Sequence, residues 1–118
     1  MKVKDYKELQ IWQRGIDLVG QVYKFTKNFP QDELYGLTSQ MRRSAVSIPS
    51  NIAEGFVRQH TKEYTQFLYV ALGSCAELET QAIISQKQNY LSKIEHDELL
   101  ESINHEIRMT VNLIKSLS

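Results

Sequence analysis

Apolar residues recur every three or four positions along four stretches of the chain, which predicts four amphipathic helices. The first stretch runs from Leu9 to Phe29 and ends at Pro30. Its apolar residues form two adjacent stripes, and together these make an arc wider than the ~100° that one core contact requires. We therefore expect a second packing partner for this helix, with Leu18, Val22 and Phe25 at the interface. The stripes are Leu9, Trp12, Ile16, Val19 and Tyr23, and beside them Ile11, Gly15, Leu18, Val22, Phe25 and Phe29.

The second helix is predicted from about Glu33 to Phe56, and Pro49 lies inside it. A proline in a helix interior removes one hydrogen bond and crowds the carbonyl group four residues earlier, so a kink or a break is expected. The apolar spacing continues from Met41 through Ile52 across the proline. This continuity favours one kinked helix over two separate ones.

The third stretch, from Thr61 to about Gln88, has Thr61 as its predicted N-cap and carries no charged residue between Tyr64 and Ala76. Its core register includes Cys75. Tyr69, Val70 and Gly73 occupy positions away from that register, where a solvated bundle normally presents charge. We expect another copy of the chain to cover these three residues.

The fourth helix begins after Ser92, because Ser92 and Glu95 have the spacing of a capping box. The connections between the four stretches are short, and short connections place consecutive helices side by side in opposite directions. The sequence therefore predicts an all-α protein, a single domain over residues 1–118 that folds as an antiparallel, up-down-up-down four-helix bundle.

Composition supports this fold and indicates a compartment. Five glycines and two prolines compare with the roughly fourteen expected from average usage, as suits a few long helices. The longest apolar run, Phe67 to Leu72, is six residues, far short of the ~20 that a membrane span requires. The first residues lack the apolar segment of a signal peptide. We expect a cytoplasmic protein with no membrane association.

The sequence contains no pattern typical of catalysis or of metal binding. Phosphate-binding loops, dinucleotide fingerprints and nucleophile elbows are missing. Cys75 lies in a core register, and His60, His96 and His105 do not share a helical face. The prediction is a non-enzyme without cofactor, metal or small-molecule substrate.

The charges sum to zero, with 14 basic and 14 acidic side chains, yet they are distributed unevenly. Arg42 and Arg43 are the only charged residues between positions 34 and 53. One interpretation pairs them internally with acidic residues; the other directs them to nucleic-acid phosphates, together with further basic residues. The acidic candidates are Glu54, Glu77 and Glu79, and the further basic residues are Arg58, Lys2, Lys4 and Lys7.

Several segments resemble the bacterial four-helix bundle proteins first noticed as products of intervening sequences in 23S rRNA genes. These segments are Leu9–Trp12, Tyr35–Ala45, Ser47–Gly55, Phe67–Leu68 and Gly73–Glu79. The resemblance implies a ring-shaped homopentamer without established enzyme activity. The chain is also similar to the accessory variability protein of diversity-generating retroelements, a basic pentamer that partners a reverse transcriptase and RNA. This chain departs from those basic relatives in its zero net charge.

Two functions follow as hypotheses. The first is a non-catalytic module that binds structured RNA or a reverse-transcriptase-like protein through Arg42, Arg43, Arg58 and the basic N-terminal region. The second is a protein-interaction scaffold without nucleic-acid binding, in which the arginines are internal. The position of Arg42 and Arg43 in the structure discriminates between them.

Overall fold

Each of the four periodic stretches forms an α-helix in the computed structural model, which describes residues 3–118. Over that range there are two short 3₁₀ turns and no β-strand, so the all-α, four-helix prediction is confirmed. The turns are Tyr6–Glu8 and Gln31–Glu33. The helices are α1 (Gln10–Thr26), α2 (Leu37–Phe56), α3 (Thr61–Lys87) and α4 (Lys93–Leu117).

Two helix starts differ from the sequence prediction. Helix α2 begins at Leu37 rather than near Glu33, because Gly36 has a non-helical backbone (φ −113°, ψ −112°). The carboxylate of Glu33 then accepts a hydrogen bond from the Leu37 amide at 3.0 Å. At the start of α3, His60 is the extended N-cap residue and Thr61 is already helical, so the predicted cap was one residue late.

The start of α4 matches the prediction in atomic detail. The Glu95 amide donates to Ser92 Oγ at 3.1 Å, and the Ser92 amide donates to Glu95 Oε1 at 3.0 Å. Each bond satisfies an amide that has no partner within the helix. The capping box is therefore confirmed.

Helix α2 is continuous across Pro49, as the apolar register predicted. The proline ring is buried, and it lies against α1 at Gly15. A Cβ atom at Gly15 would stand 3.2 Å from Pro49 Cβ and 3.4 Å from Glu106 Oε2. Gly15 thus lets α1 approach α2 and α4 closely at one level of the bundle.

The core contains apolar side chains from all four helices, and it corrects one group of predicted interface residues. Leu18, Val22 and Phe25 are buried inside this chain, so they are not available to a second copy. The reason is that the second apolar stripe of α1 faces α2 and α4. Residues of the first stripe, Ile16 and Tyr23, remain exposed instead.

Helices α2 and α3 contact each other along their whole length. Ser85 Oγ donates to Met41 Sδ at 3.3 Å near the start of α2 and the end of α3. The hydroxyls of Ser47 and Ser74 lie 2.8 Å apart near the middle. At the other end, Gly55 packs so tightly against Phe67 that a Cβ atom would come within 2.7 Å of Phe67 Cβ.

Helix α3 is long and apolar enough to cross a membrane by length and composition alone. A core helix of a water-soluble bundle meets the same criterion. In the most apolar part of α3, 33% of the residues are buried inside the chain. Much of the surface of this helix is therefore not covered by the other helices of the same chain.

Candidate functional surfaces

Arg42 is held on the surface by groups of α1. Its Nε donates to Thr26 Oγ1 at 3.0 Å, and its guanidinium lies 4.5 Å from the centre of the Tyr23 ring. Thr26 Oγ1 itself donates to the Val22 carbonyl at 2.7 Å, so the hydroxyl is oriented to accept from Arg42. A cation over an aromatic face is stabilised by the ring quadrupole. Arg42 is thus pre-oriented, and its charge has no carboxylate partner among the residues that the structure describes.

Arg43 is exposed beside Arg42 and lies at the edge of an open groove of about 500 Å³ between α1 and the start of α2. The side chain of Tyr35 is 93% exposed there. We call this region the arginine–tyrosine surface. It is lined by Tyr23, Leu34, Tyr35, Thr38, Ser39, Arg42, Arg43 and Val46.

Within residues 3–118, no carboxylate lies within ion-pairing distance of Arg42 or Arg43. The predicted internal pairing of these two arginines with Glu54, Glu77 or Glu79 is therefore wrong. Glu54 pairs with Arg58 instead, at 2.9 Å and one helical turn away. Glu54 and Arg58 meet because they are four residues apart on the same exposed helix face, so their pairing follows from the sequence spacing alone.

Three of the other predicted basic residues, Arg58, Lys4 and Lys7, are not part of this surface. Arg58 follows the end of α2, 16 residues beyond Arg42, which corresponds to roughly 24 Å along a helix axis. Its guanidinium lies 5.0 Å from the centre of the Phe67 ring. Lys7 lies 4.0 Å from Asp5, and Lys4 is exposed. Lys2 lies outside the described residues.

A second surface runs along the solvent side of α3, and we call it the α3 outer face. It contains Tyr69 and Val70, which are 58% and 50% exposed, and Gly73, beside which a Cβ atom would meet nothing within 4 Å. Exposed residues follow one another at helical spacing and carry no charge from Gln66 to Ala76, and the exposed Glu77 follows directly. The uncharged exposed residues are Gln66, Tyr69, Val70, Gly73 and Ala76.

Comparison with known proteins identifies the family. The chain matches the family model described as 23S rRNA-intervening sequence protein over residues 7–112. The protein belongs to this family. No curated protein matches the chain.

A solved structure with the same fold adds no activity. It is a protein of unknown function from the S23 ribosomal protein family of Bacteroides thetaiotaomicron VPI-5482, determined by crystallography at 1.70 Å resolution. The two structures superpose with a TM-score of 0.80 at 19% sequence identity, over 89% of this chain and 98% of the other. At that identity, the likeness establishes the four-helix fold alone.

In this 23S rRNA-intervening sequence protein, sequence reasoning missed one ionisable group at the centre of the bundle. Glu106 is 1% exposed, and neither of its carboxylate oxygens has a hydrogen-bond partner within the described chain. Burial raises the pKa of Glu106 to about 8, against a smaller opposing effect of Arg14. The spacing in the sequence is compatible with burial, since Glu106 follows Ile103 by three residues and precedes Thr110 by four. Only the structure shows that this register is the buried one: its buried residues are Leu99, Ile103, Glu106, Thr110 and Ile114.

Neither Glu106 nor its neighbours form a metal or nucleophile site. No group of three or more metal-ligating side chains occurs within residues 3–118. Cys75, the one cysteine, is buried, and burial together with the nearby Glu106 raises the pKa of its thiol to about 12. A thiol in that state is not a nucleophile at neutral pH. Glu106 and Cys75 are thus part of the packed interior, and the groups available to a partner lie on the arginine–tyrosine surface and the α3 outer face.

Proposed function

We propose that this 23S rRNA-intervening sequence protein is a non-catalytic, self-assembling bundle that binds RNA through Arg42 and Arg43. One observation carries the RNA-binding part. Two adjacent guanidinium groups lie on the same side of the bundle without a carboxylate partner in the described chain. Unneutralised arginines on an exposed surface are suited to phosphate groups.

The assembly part of the proposal is a homopentamer of antiparallel, up-down-up-down bundles. The antiparallel order is supported by the contacts that join the start of α2 to the end of α3 and the end of α2 to the start of α3. The α3 outer face supports self-association, because its exposed residues from Gln66 to Ala76 carry no charge and large exposed apolar patches are typical of protein interfaces. The number five comes from the resemblance to the family.

Assembly would also solve an affinity problem. Two arginines per chain neutralise few phosphates, and the net charge of the chain is zero. In a pentamer the same pair is repeated five times on one particle. Linking weak binding sites raises their effective concentration, so a long RNA could be held by several copies at once.

The test of RNA binding is a gel-shift titration of the purified protein against ribosomal RNA fragments over a series of salt concentrations. Arg43→Gln is the informative variant, since Arg43 has no hydrogen bond or ion pair with the described residues. We expect it to weaken binding. The slope of the logarithm of the binding constant against the logarithm of the salt concentration should become shallower by roughly 0.7 for each phosphate that is no longer neutralised. Arg108→Gln, which removes an exposed arginine from α4, is the matched control and should bind like the parent.

The absence of salt-sensitive binding in the parent protein would reject RNA binding. That result would favour the second candidate function, a protein-interaction scaffold. The zero net charge and the uncharged stretch of the α3 outer face, from Gln66 to Ala76, are the observations that support the scaffold.

The assembly proposal is tested separately by sedimentation velocity at micromolar concentration. Gly73→Glu should reduce the oligomer to smaller species while the helical content is kept, because within residues 3–118 no atom would lie within 4 Å of a Cβ at that position. Gly20→Glu is the matched control: Gly20 is an equally open glycine on α1. A stable monomer in the parent protein, or an unchanged mass for Gly73→Glu, would contradict the proposal.

A further inference from the structure

Tyr35 is unusual among the aromatic residues of this chain because its side chain is almost fully exposed to solvent. Its ring is 93% exposed, whereas the rings of Tyr6, Phe29 and Tyr90 each pack against another aromatic ring. Because Tyr35 is almost fully exposed, both faces of its ring are free to stack against a ligand.

The charge on the arginine–tyrosine surface is too small for recognition of a double helix. Duplex RNA is bound by shape and by many phosphate and 2′-hydroxyl contacts, over about 16 base pairs in double-stranded RNA-binding domains. Here the surface holds Arg42 and Arg43, with Lys27 one helical turn beyond Tyr23 on α1. Asp32 and Glu33 lie just before Tyr35 in the sequence and oppose phosphate binding there.

The aromatic and apolar part of the surface is well suited to unpaired bases. Tyr23 and Tyr35 line the same groove with Leu34 and Val46, and the guanidinium group of Arg42 lies 4.5 Å from the centre of the Tyr23 ring. Bases that are free of pairing stack on tyrosine rings and on arginine planes, at about 1–3 kcal/mol per base. Stacking of this size could supply the affinity that the small charge does not.

Glu33 opposes phosphate binding near Tyr35 less than its position in the sequence suggests. Its Oε1 accepts from the Leu37 amide at 3.0 Å, and its Oε2 accepts from the Tyr90 hydroxyl at 3.2 Å. The carboxylate is thus directed toward the start of α2 and toward Tyr90. Both of its oxygens are occupied, which leaves the Tyr35 ring as the group presented to a ligand.

We propose that the arginine–tyrosine surface binds single-stranded RNA, with an unpaired base stacked on Tyr35 and a neighbouring phosphate held by Arg43. This inference rests on the proposed RNA-binding function and narrows its ligand to unpaired nucleotides. We assign the groove to RNA rather than to a second copy of the chain, because tyrosine rings and arginine side chains line it together.

The experiment measures fluorescence anisotropy of a labelled single-stranded oligoribonucleotide and of a blunt duplex with the same sequence and length. We expect the single strand to bind at least tenfold more tightly. Tyr35→Ala should weaken single-strand binding by about 5- to 150-fold, which corresponds to one base that no longer stacks. Tyr35→Phe, which keeps the ring, should bind within about twofold of the parent.

Two controls keep the result interpretable. Thermal unfolding should be unchanged in Tyr35→Ala, because the side chain is almost fully exposed. Val57→Ala removes exposed apolar surface at the far end of α2 and should leave RNA binding unchanged.

The outcomes separate the two proposals. Equal or tighter binding of the duplex overturns the single-strand inference and leaves RNA binding in place. Normal binding by Tyr35→Ala together with weakened binding by Arg43→Gln would also overturn the single-strand inference and leave RNA binding in place. A smaller oligomer in Tyr35→Ala would assign the groove to a second copy and overturn the inference. If neither RNA binds to the parent protein, both proposals fail.

Discussion

Replacing Glu106 with glutamine removes an ionisable group from the centre of the bundle while its size and shape are kept. In the folded protein the carboxyl group is 1% exposed, and its oxygens have no hydrogen-bond partner within the described chain. A charge in that environment is strongly disfavoured, so the folded state retains the proton. The unfolded chain, in contrast, loses it near pH 4.5.

The sign of the pH dependence follows from this difference. Burial raises the pKa of Glu106 from 4.5 to about 8. Below pH 4.5 both states are protonated, and the residue contributes no pH dependence. Between pH 4.5 and 8 only the unfolded state loses its proton, so the free energy of unfolding falls by about 1.4 kcal/mol for each pH unit. Above pH 8 both states are ionised and the loss is complete.

The magnitude is large for a protein of this size. At pH 7 the loss amounts to about 3 kcal/mol, and above pH 8 to about 5 kcal/mol. The whole stability of a small domain is typically about 5–15 kcal/mol. Glutamine does not ionise, so Glu106→Gln should be more stable than the parent by these amounts at pH 7 and at pH 9. Near pH 4 the two proteins should be similar.

The groups around Glu106 shape the curve without reversing it. Arg14 on α1 lowers the pKa of Glu106, an effect smaller than that of burial. On α3 the thiol of Cys75 interacts electrostatically with Glu106, and it stays protonated over the range of the experiment because burial raises its pKa to about 12. The α2 neighbour at this level is the apolar ring of Pro49, across Gly15. None of these groups supplies a hydrogen bond to the carboxylate.

The assay is urea unfolding followed by far-UV circular dichroism, for both proteins, across the range from pH 4 to pH 9. The difference between variant and parent isolates residue 106, since all other titrating groups are shared. Glu101→Gln, an exposed glutamate on the same helix, is the matched control and should lie within about 0.5 kcal/mol of the parent at every pH. A difference that does not change with pH would refute the reasoning, because it would mean that Glu106 is already ionised and solvated in the fold.

Three further predictions concern single contacts. Gly55→Ala should destabilise the fold by about 1–3 kcal/mol in chemical denaturation, because its Cβ would come within 2.7 Å of Phe67 Cβ. Gly20→Ala, on the open surface of α1, should instead stabilise it by about 0.5–1 kcal/mol through helix propensity. Equal effects of the two substitutions would contradict the packing argument. Ser92→Ala should cost about 1 kcal/mol through loss of the capping box, and a null result would show that the cap is dispensable. Cys75 should react with a thiol reagent only as fast as the protein unfolds, and fast labelling of the native protein would show an open core.

Much of the local structure could be read from the sequence. The three- and four-residue spacing of apolar side chains placed four helices, and the spacing of Ser92 and Glu95 placed a cap that the structure forms atom for atom. The register across Pro49 indicated a continuous α2. These features depend on residues within a few positions of one another, so the information is local.

The pairing of charges showed where local information ends. Arg58 and Glu54 pair because they are one turn apart, a relation visible in the sequence. Arg42 instead meets Thr26 and Tyr23, residues of another helix. Only the packing of α1 against α2 could bring those groups together and leave Arg43 without a partner among the described residues.

The tertiary structure also decided which apolar residues of α1 are core and which are surface. Both stripes have helical spacing, and the sequence alone could not tell that Leu18 is buried while Ile16 is exposed. The same holds for Glu106, which has a polar side chain in a buried register and lies close to Gly15. Periodicity identifies a face of a helix, but the direction of that face is determined by the neighbours, and these come from distant parts of the chain.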